Sequence, residues 1–181
     1  SYDPAYAFEH GIVVEPQVGM PVPIPSMAAP PEAPPAPPTL RLAESPDGLS
    51  WATAFADIQS GVDAAYGRFG GEVWVAEGVY QAAGDNVVVM RPNVHLYGSF
   101  AGTESARTQR DLRNRQTTID GEATRRCVLG ANHATLDAFR VANGDADDGG
   151  GMFNAGASPH VSNCDFSSNA GTYGGGAIHN S

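Results

Sequence analysis

The sequence predicts an all-β fold, a β-solenoid, on three observations. Two successive units align: Leu136, Phe139 and Val141 match Val161, Cys164 and Phe166 at an offset of 25, while Met152, Phe153 and Asn154 match Ile178, His179 and Asn180 at 26. The one-residue slip falls in the Asp/Gly/Tyr linker, where an insertion is cheap. From residue 117 the chain also breaks into strand-length pieces (TTIDG, CVLGA, TLDAFRVANG, GGGMFN, PHVSNCDFSSN, GGAIHN) punctuated by Gly, Asn and Asp. Finally, each unit is too thin to bury its own apolar residues, whereas coils stacked about 4.8 Å apart bury them in one column.

The elements follow in order. Residues 1–44 read as an extended tail. The first 40 residues hold eleven of the fourteen prolines and neither Lys nor Arg, so PVPIPSMAAPPEAPPAPP is expected to be polyproline II or extended. Ahead of it, AYAFEHGIVVEP reads as a short strand for addition to a sheet edge, its own or a neighbour's. The candidate partner-docking residues are Tyr6, Phe8, Ile12, Val13, Val14, Pro23 and Pro25. Residues 45–181 form the solenoid domain. Residues 47–66 read as a helix N-capped by Ser50, so the cap proper spans about 50–66, with Trp51, Phe55, Ile58, Val62 and Ala65 on one face. GGEVWVAEGVYQ follows as strand, with Val73, Val75 and Val79 alternating with outward residues. NVVVMRPNVHLYGSF makes two strands bent at Pro92-Asn93, and residues 101–116 form a polar excursion.

The glycine runs are expected to permit positive φ and close backbone approach at corners. Asn154 and Asn180 fall at one rung position and Asn169 closes its strand. Asn suits both left-handed turns and stacked side-chain hydrogen bonding. Phe166 and Ile178 are expected to face the core, and Cys164, standing where Phe139 stood, is a core thiol.

These residues carry a resemblance. Phe166-Ser-Ser-Asn169 fits FxxN, and Gly175-Gly176-Ala177-Ile178 fits GGA(I/L/V). The pair resembles the repeat of polymorphic outer-membrane proteins and related bacterial surface β-helices. SWATAFADIQSGVDAAY resembles their capping helix, EVWVAEGVY their first strand, and LYGSFAGTESARTQRDL the loop that follows. The resemblance covers about residues 45–181, with one full FxxN/GGAI pair and no barrel or anchor. It implies a right-handed parallel β-helix, secreted or on the bacterial cell surface, with structural or adhesive roles.

A formal net charge of −10 argues against nucleic acid and anionic membranes as partners, and no run is long and apolar enough for membrane insertion. The two cysteines make neither a disulfide framework nor a metal site. The one calcium candidate is Asp145, Asp147 and Asp148. Its spacing fails the EF-hand, with Gly156 where a Glu is needed, and a solvated turn is the favoured reading. No other cofactor is expected. Parallel β-helices also host pectate lyases and polygalacturonases, but the motifs of the latter are absent and there is no lysine, so no catalytic residue is assigned. Six of the ten arginines lie between Arg107 and Arg126. They are expected to pair with Glu104, Asp111, Asp120 and Glu122 rather than form an anion patch. The chain starts at Ser1 rather than Met, which suggests a lost leader or an excised piece, and it stops inside a rung. The function expected is therefore a non-catalytic exterior structural protein that assembles, as a fibre or surface complex, through its tail and open solenoid end. The alternative is an adhesin or glycan-binding module acting through the lateral face; a polysaccharide lyase or hydrolase ranks last.

Overall fold

In the computed structural model the described residues are 12–14 and 46–181. Short β-prone runs separated by turn residues cannot pair locally as hairpins here, because each finds a like run one coil later. Four coils result. The first holds β2 (Gly71–Ala76), β3 (Gly78–Tyr80) and β4 (Asn86–Val89), and the second β5 (Val94–Phe100), β6 (Thr117–Asp120) and β7 (Arg126–Leu129). The third holds β8 (Thr135–Asp137), β9 (Arg140–Ala142), β10 (Asp145–Ala146) and β11 (Met152–Asn154). The fourth holds β12 (His160–Ser162), β13 (Asp165–Ser167), β14 (Ala170–Gly171) and β15 (Ile178–Asn180). With β1 (Ile12–Val14), they form four sheets: β1-β2-β5-β8-β12, β3-β6-β9-β13, β4-β7-β11-β15 and β10-β14. Every ladder is parallel.

The register places like residues over like. Leu136 faces Val161, Val141 faces Phe166 and Met152 faces Ile178, the pairs of the sequence alignment. The inward columns run Ile12-Val73-Leu96-Leu136-Val161, Tyr80-Ile119-Val141-Phe166 and Val88-Val128-Met152-Ile178. Burying such a column contributes roughly 1.5–3 kcal/mol per large side chain. Tight corners recur as well. Ala138 and Asn163, and Asn143 and Ser168, all have φ between 51° and 66°. These corner residues are left-handed, as are Ser99, Asn93 and His133 elsewhere in the coils, whereas Asn154, Asn169 and Asn180 are not.

The capping helix is shorter than the sequence pattern suggests. Trp51–Thr53 is a 3-10 turn, and the helix proper, α1, spans Ile58–Gly67. Asp57 is its N-cap, accepting from the Ser60 amide at 2.7 Å, while Ser50 makes no capping bond. The interruption has a cause remote in sequence. The Phe55 amide donates to the Val13 carbonyl and the Val13 amide to the Gly48 carbonyl, so this backbone serves β1 instead of a helix. Ile58, Val62 and Ala65 do form the buried face. β1 presses close on α1: a Cβ on Gly61 would lie 2.7 Å from Val14 Cγ2.

Two further expectations change. Ile12, Val13 and Val14, assigned to partner docking, add to the edge of the chain's own first sheet and are buried, with Val14 at 0% exposure. The solenoid thus includes three residues of the tail; Tyr6, Phe8, Pro23 and Pro25 lie outside the described residues. In β2 the simple alternation fails because both faces are covered. Val73 and Val75 face the core, while Trp74 stacks on Phe100 beneath Trp51 and Val13, with centroids 4.9 Å apart for Trp74–Phe100. Val79, on the far side of the corner at Glu77, points outward and is exposed. The bend at Pro92-Asn93 is present between β4 and β5.

Candidate functional site

The fourth coil is where the inward columns meet solvent. Leu136, Val141 and Met152 are 0% exposed in the third coil. Beneath them Val161, Cys164 and Phe166 are only partly buried against the core, and Ile178 is 38% exposed. Ile178 does lie on the core column, but it is open because no described residue covers it. The backbone edge is open on the same side. His160 donates to the Ala134 carbonyl and Ser162 accepts from Ala138, which turns the Val161 N–H and C=O away from the third coil. In the same way Asp165 donates to Phe139 and Ser167 accepts from Asn143, which frees the Phe166 pair.

Asparagines tie the last coils together. Asn154 Nδ2 donates to Asn180 Oδ1 at 2.7 Å. The ladder stops above at Gly130, where the missing side chain leaves the buried Asn154 Oδ1 without a partner. Asn169 turns inward. Its Oδ1 accepts from the Gly144 amide and its Nδ2 donates to the Val141 carbonyl, both at 2.8 Å, so it replaces backbone partners lost at the corner. The glycine run at 149–151 works mainly through space. Only Gly149 has positive φ; a Cβ on Gly150 would meet the Ala170 carbonyl oxygen at 2.0 Å, and one on Gly151 would meet that of Ala177 at 2.4 Å. Gly175 and Gly176 are equally confined, by Ile178 and Asn169 carbonyl oxygens, and Ala177 is exposed.

The acidic turn disperses. Asp145 is an exposed strand residue paired with Ala170, and Asp147 is exposed. Asp148 instead meets His179, whose Nδ1 lies 2.9 Å from its Oδ1, a close polar contact that is not aligned as a hydrogen bond. His179 in turn sits edge-on to Phe153. Among the described residues no three His, Cys, Asp or Glu side chains gather as a metal-holding group.

Most of the arginines between Arg107 and Arg126 find partners, but mostly not the expected ones. Arg107 pairs with Glu72, Arg110 with Asp137, Arg115 with Glu77, and only Arg125 with the anticipated Glu122. Glu104 spends its carboxylate on the amides of Ala101, Gly102 and Thr103. Asp137, which the sequence pattern does not single out, is a hub. It is 6% exposed and accepts from Arg110 Nη2 at 2.8 Å, Ser162 Oγ at 2.9 Å and Asn163 Nδ2 at 2.6 Å. Burial pushes its carboxyl up, but these bonds and the guanidinium outweigh that and hold it below the usual carboxylate range. Burial raises the Cys127 thiol to about 12 and Cys164 to about 11, so neither is a ready nucleophile.

Coils, in-register ladders and a shared apolar column define the molecule as an all-β parallel solenoid. No family model, curated protein or solved structure matches the chain. No helix among the described residues is long and apolar enough to cross a membrane.

Proposed function

We propose that this chain is a non-catalytic structural protein of the bacterial cell exterior, a right-handed parallel β-helix that assembles with other subunits through the open side of its fourth coil. One observation carries the reading: along a single core column, burial is complete at Met152 and is lost at Ile178, on an edge that also presents free backbone pairs. A further β layer would bury Val161, Phe166 and Ile178 and extend the Asn154–Asn180 ladder. The FxxN and GGAI segments support the resemblance to bacterial surface repeats, and with it the exterior location and handedness.

Sedimentation of the 181-residue chain tests the assembly. Self-association that Ile178→Asp abolishes, with the far-UV spectrum unchanged, is the expected result. A monomer at every concentration, or assembly indifferent to Ile178→Asp, overturns the reading. A second reading, a glycan-binding module, is favoured by a cleft on the lateral face.

A further inference from the structure

The excursion at residues 101–116 does not hang free. It folds back over the stacked left-handed corners of the second, third and fourth coils, where Ser99, Ala138 and Asn163 have φ of 67°, 66° and 51°. Between excursion and corners lies a cleft of about 370 Å³, within the range of small-ligand sites. Its lining includes Arg113, Arg115 and Arg140 against a single acid, Asp165. In a protein of net charge −10 this is a local reversal of sign.

The three arginines are not equally committed. Arg115 is tied to Glu77. Arg140 Nε donates to Ser167 Oγ at 3.1 Å and lies 3.8 Å from the Asp165 carboxylate, a loose contact between exposed groups. The Arg113 guanidinium has no hydrogen bond or ion pair among the described residues. Beside it Leu112 is 49% exposed, a bare aliphatic surface in the same wall. Across the cleft Asn163 gives its Nδ2 to Asp137, which leaves its Oδ1 as an acceptor.

The frame is preorganised. The Ser99 amide donates to Thr117 Oγ1 at 2.8 Å, and Ser99 Oγ donates to the Arg115 carbonyl at 2.9 Å. The Asp111 amide donates to the Ser99 carbonyl, and the Arg115 amide to that of Asp111. Asp137 holds Arg110 of the excursion and Asn163 of the far wall at once. A ligand would therefore meet a cleft already shaped, with little ordering cost.

We infer that this cleft is a binding site for a terminal carboxylated sugar, the carboxylate on Arg113 and Arg140, a hydroxyl on Asn163 and the C–H face of the ring on Leu112. A planar guanidinium suits a carboxylate through two parallel bonds. The surrounding negative charge disfavours a long polyanion and leaves a single acidic residue at a chain end as the fitting ligand. The inference rests on the glycan-binding reading and is independent of assembly.

Titration of the whole chain with glucuronate, glucose and inorganic sulfate, followed by NMR, tests it. Glucuronate is expected to bind at least about tenfold more tightly than either of the others, and Arg113→Ala to weaken it by about tenfold or more, as expected for a charge-assisted bond. Arg113→Lys is expected to restore part of the loss, and Arg91→Ala, which is paired with Asp63 of α1 and outside the cleft lining, to change nothing. Glucose binding as well as glucuronate overturns the acidic-sugar site but leaves the glycan reading standing. Sulfate binding as well as glucuronate marks a bare anion site and overturns the inference. No response to any sugar overturns both.

Discussion

The first and fourth coils of the solenoid treat the same apolar column differently. At the first coil, α1 and β1 close the apolar column. Ile12, Val14, Ile58 and Val62 are each no more than 3% exposed, and β1 takes up the sheet edge. At the fourth coil the same column and the same kind of edge stand open. The difference teaches that in-register stacking supplies burial only between coils. The first coil is closed by a chemically different element, assembled from two segments distant in sequence.

The largest expected effect is at the closed end. Val62→Asp places a carboxylate in the sealed column and is expected to cost more than about 3 kcal/mol, whereas Ile178→Asp on the open side of the fourth coil stays within about 1 kcal/mol. Urea unfolding of the two variants measures the contrast, and equal losses would break it. Next is the fastening of the fourth coil to the third. Asp137→Asn removes the buried charge that faces the half-buried Arg110 and is expected to cost about 3 kcal/mol at neutral pH. Because the native Asp137 carboxyl lies below its ordinary value, its contribution is complete above pH 3.8 and is lost as pH falls through the native value. Thermal melts should therefore show the wild type losing its advantage over Asp137→Asn below pH 3.8. The smallest effect sharpens where the cap begins. Asp57→Ala is expected to cost about 1 kcal/mol and Ser50→Ala only a few tenths, since Asp57 alone caps α1. Equal costs would restore Ser50 as the helix start.

Register was legible in the sequence because a parallel ladder places equivalent residues in contact: Leu136 on Val161 and Met152 on Ile178 could be read from spacing alone. The start of α1 was not. Trp51 and Phe55 keep helical spacing with Ile58, yet Phe55 pairs with β1, a segment more than thirty residues earlier, and local periodicity carries no trace of that. The Asn roles were half legible. Stacking of Asn154 on Asn180 followed from alignment, but the left-handed corners went to Ala138, Asn163, Asn143 and Ser168, set by coil geometry rather than by residue preference alone. The arginine cleft was hidden for a similar reason. Arg113 and Arg140 are brought together by the return of the excursion, and sequence adjacency suggested only a charged loop.

The direction of the ladders has a mechanical consequence. Inter-strand hydrogen bonds run along the solenoid axis, so tension applied end to end pulls on the contacts between coils rather than along any strand. Such a molecule should lengthen in steps as coils peel away, and among the described coils the fourth, with Ile178 and Phe166 only partly covered, should go before the third. A released coil of this period would add roughly 85 Å of extended chain. The excursion at 101–116, clamped by Ser99 and Asp137, would stay closed until the third coil gave way.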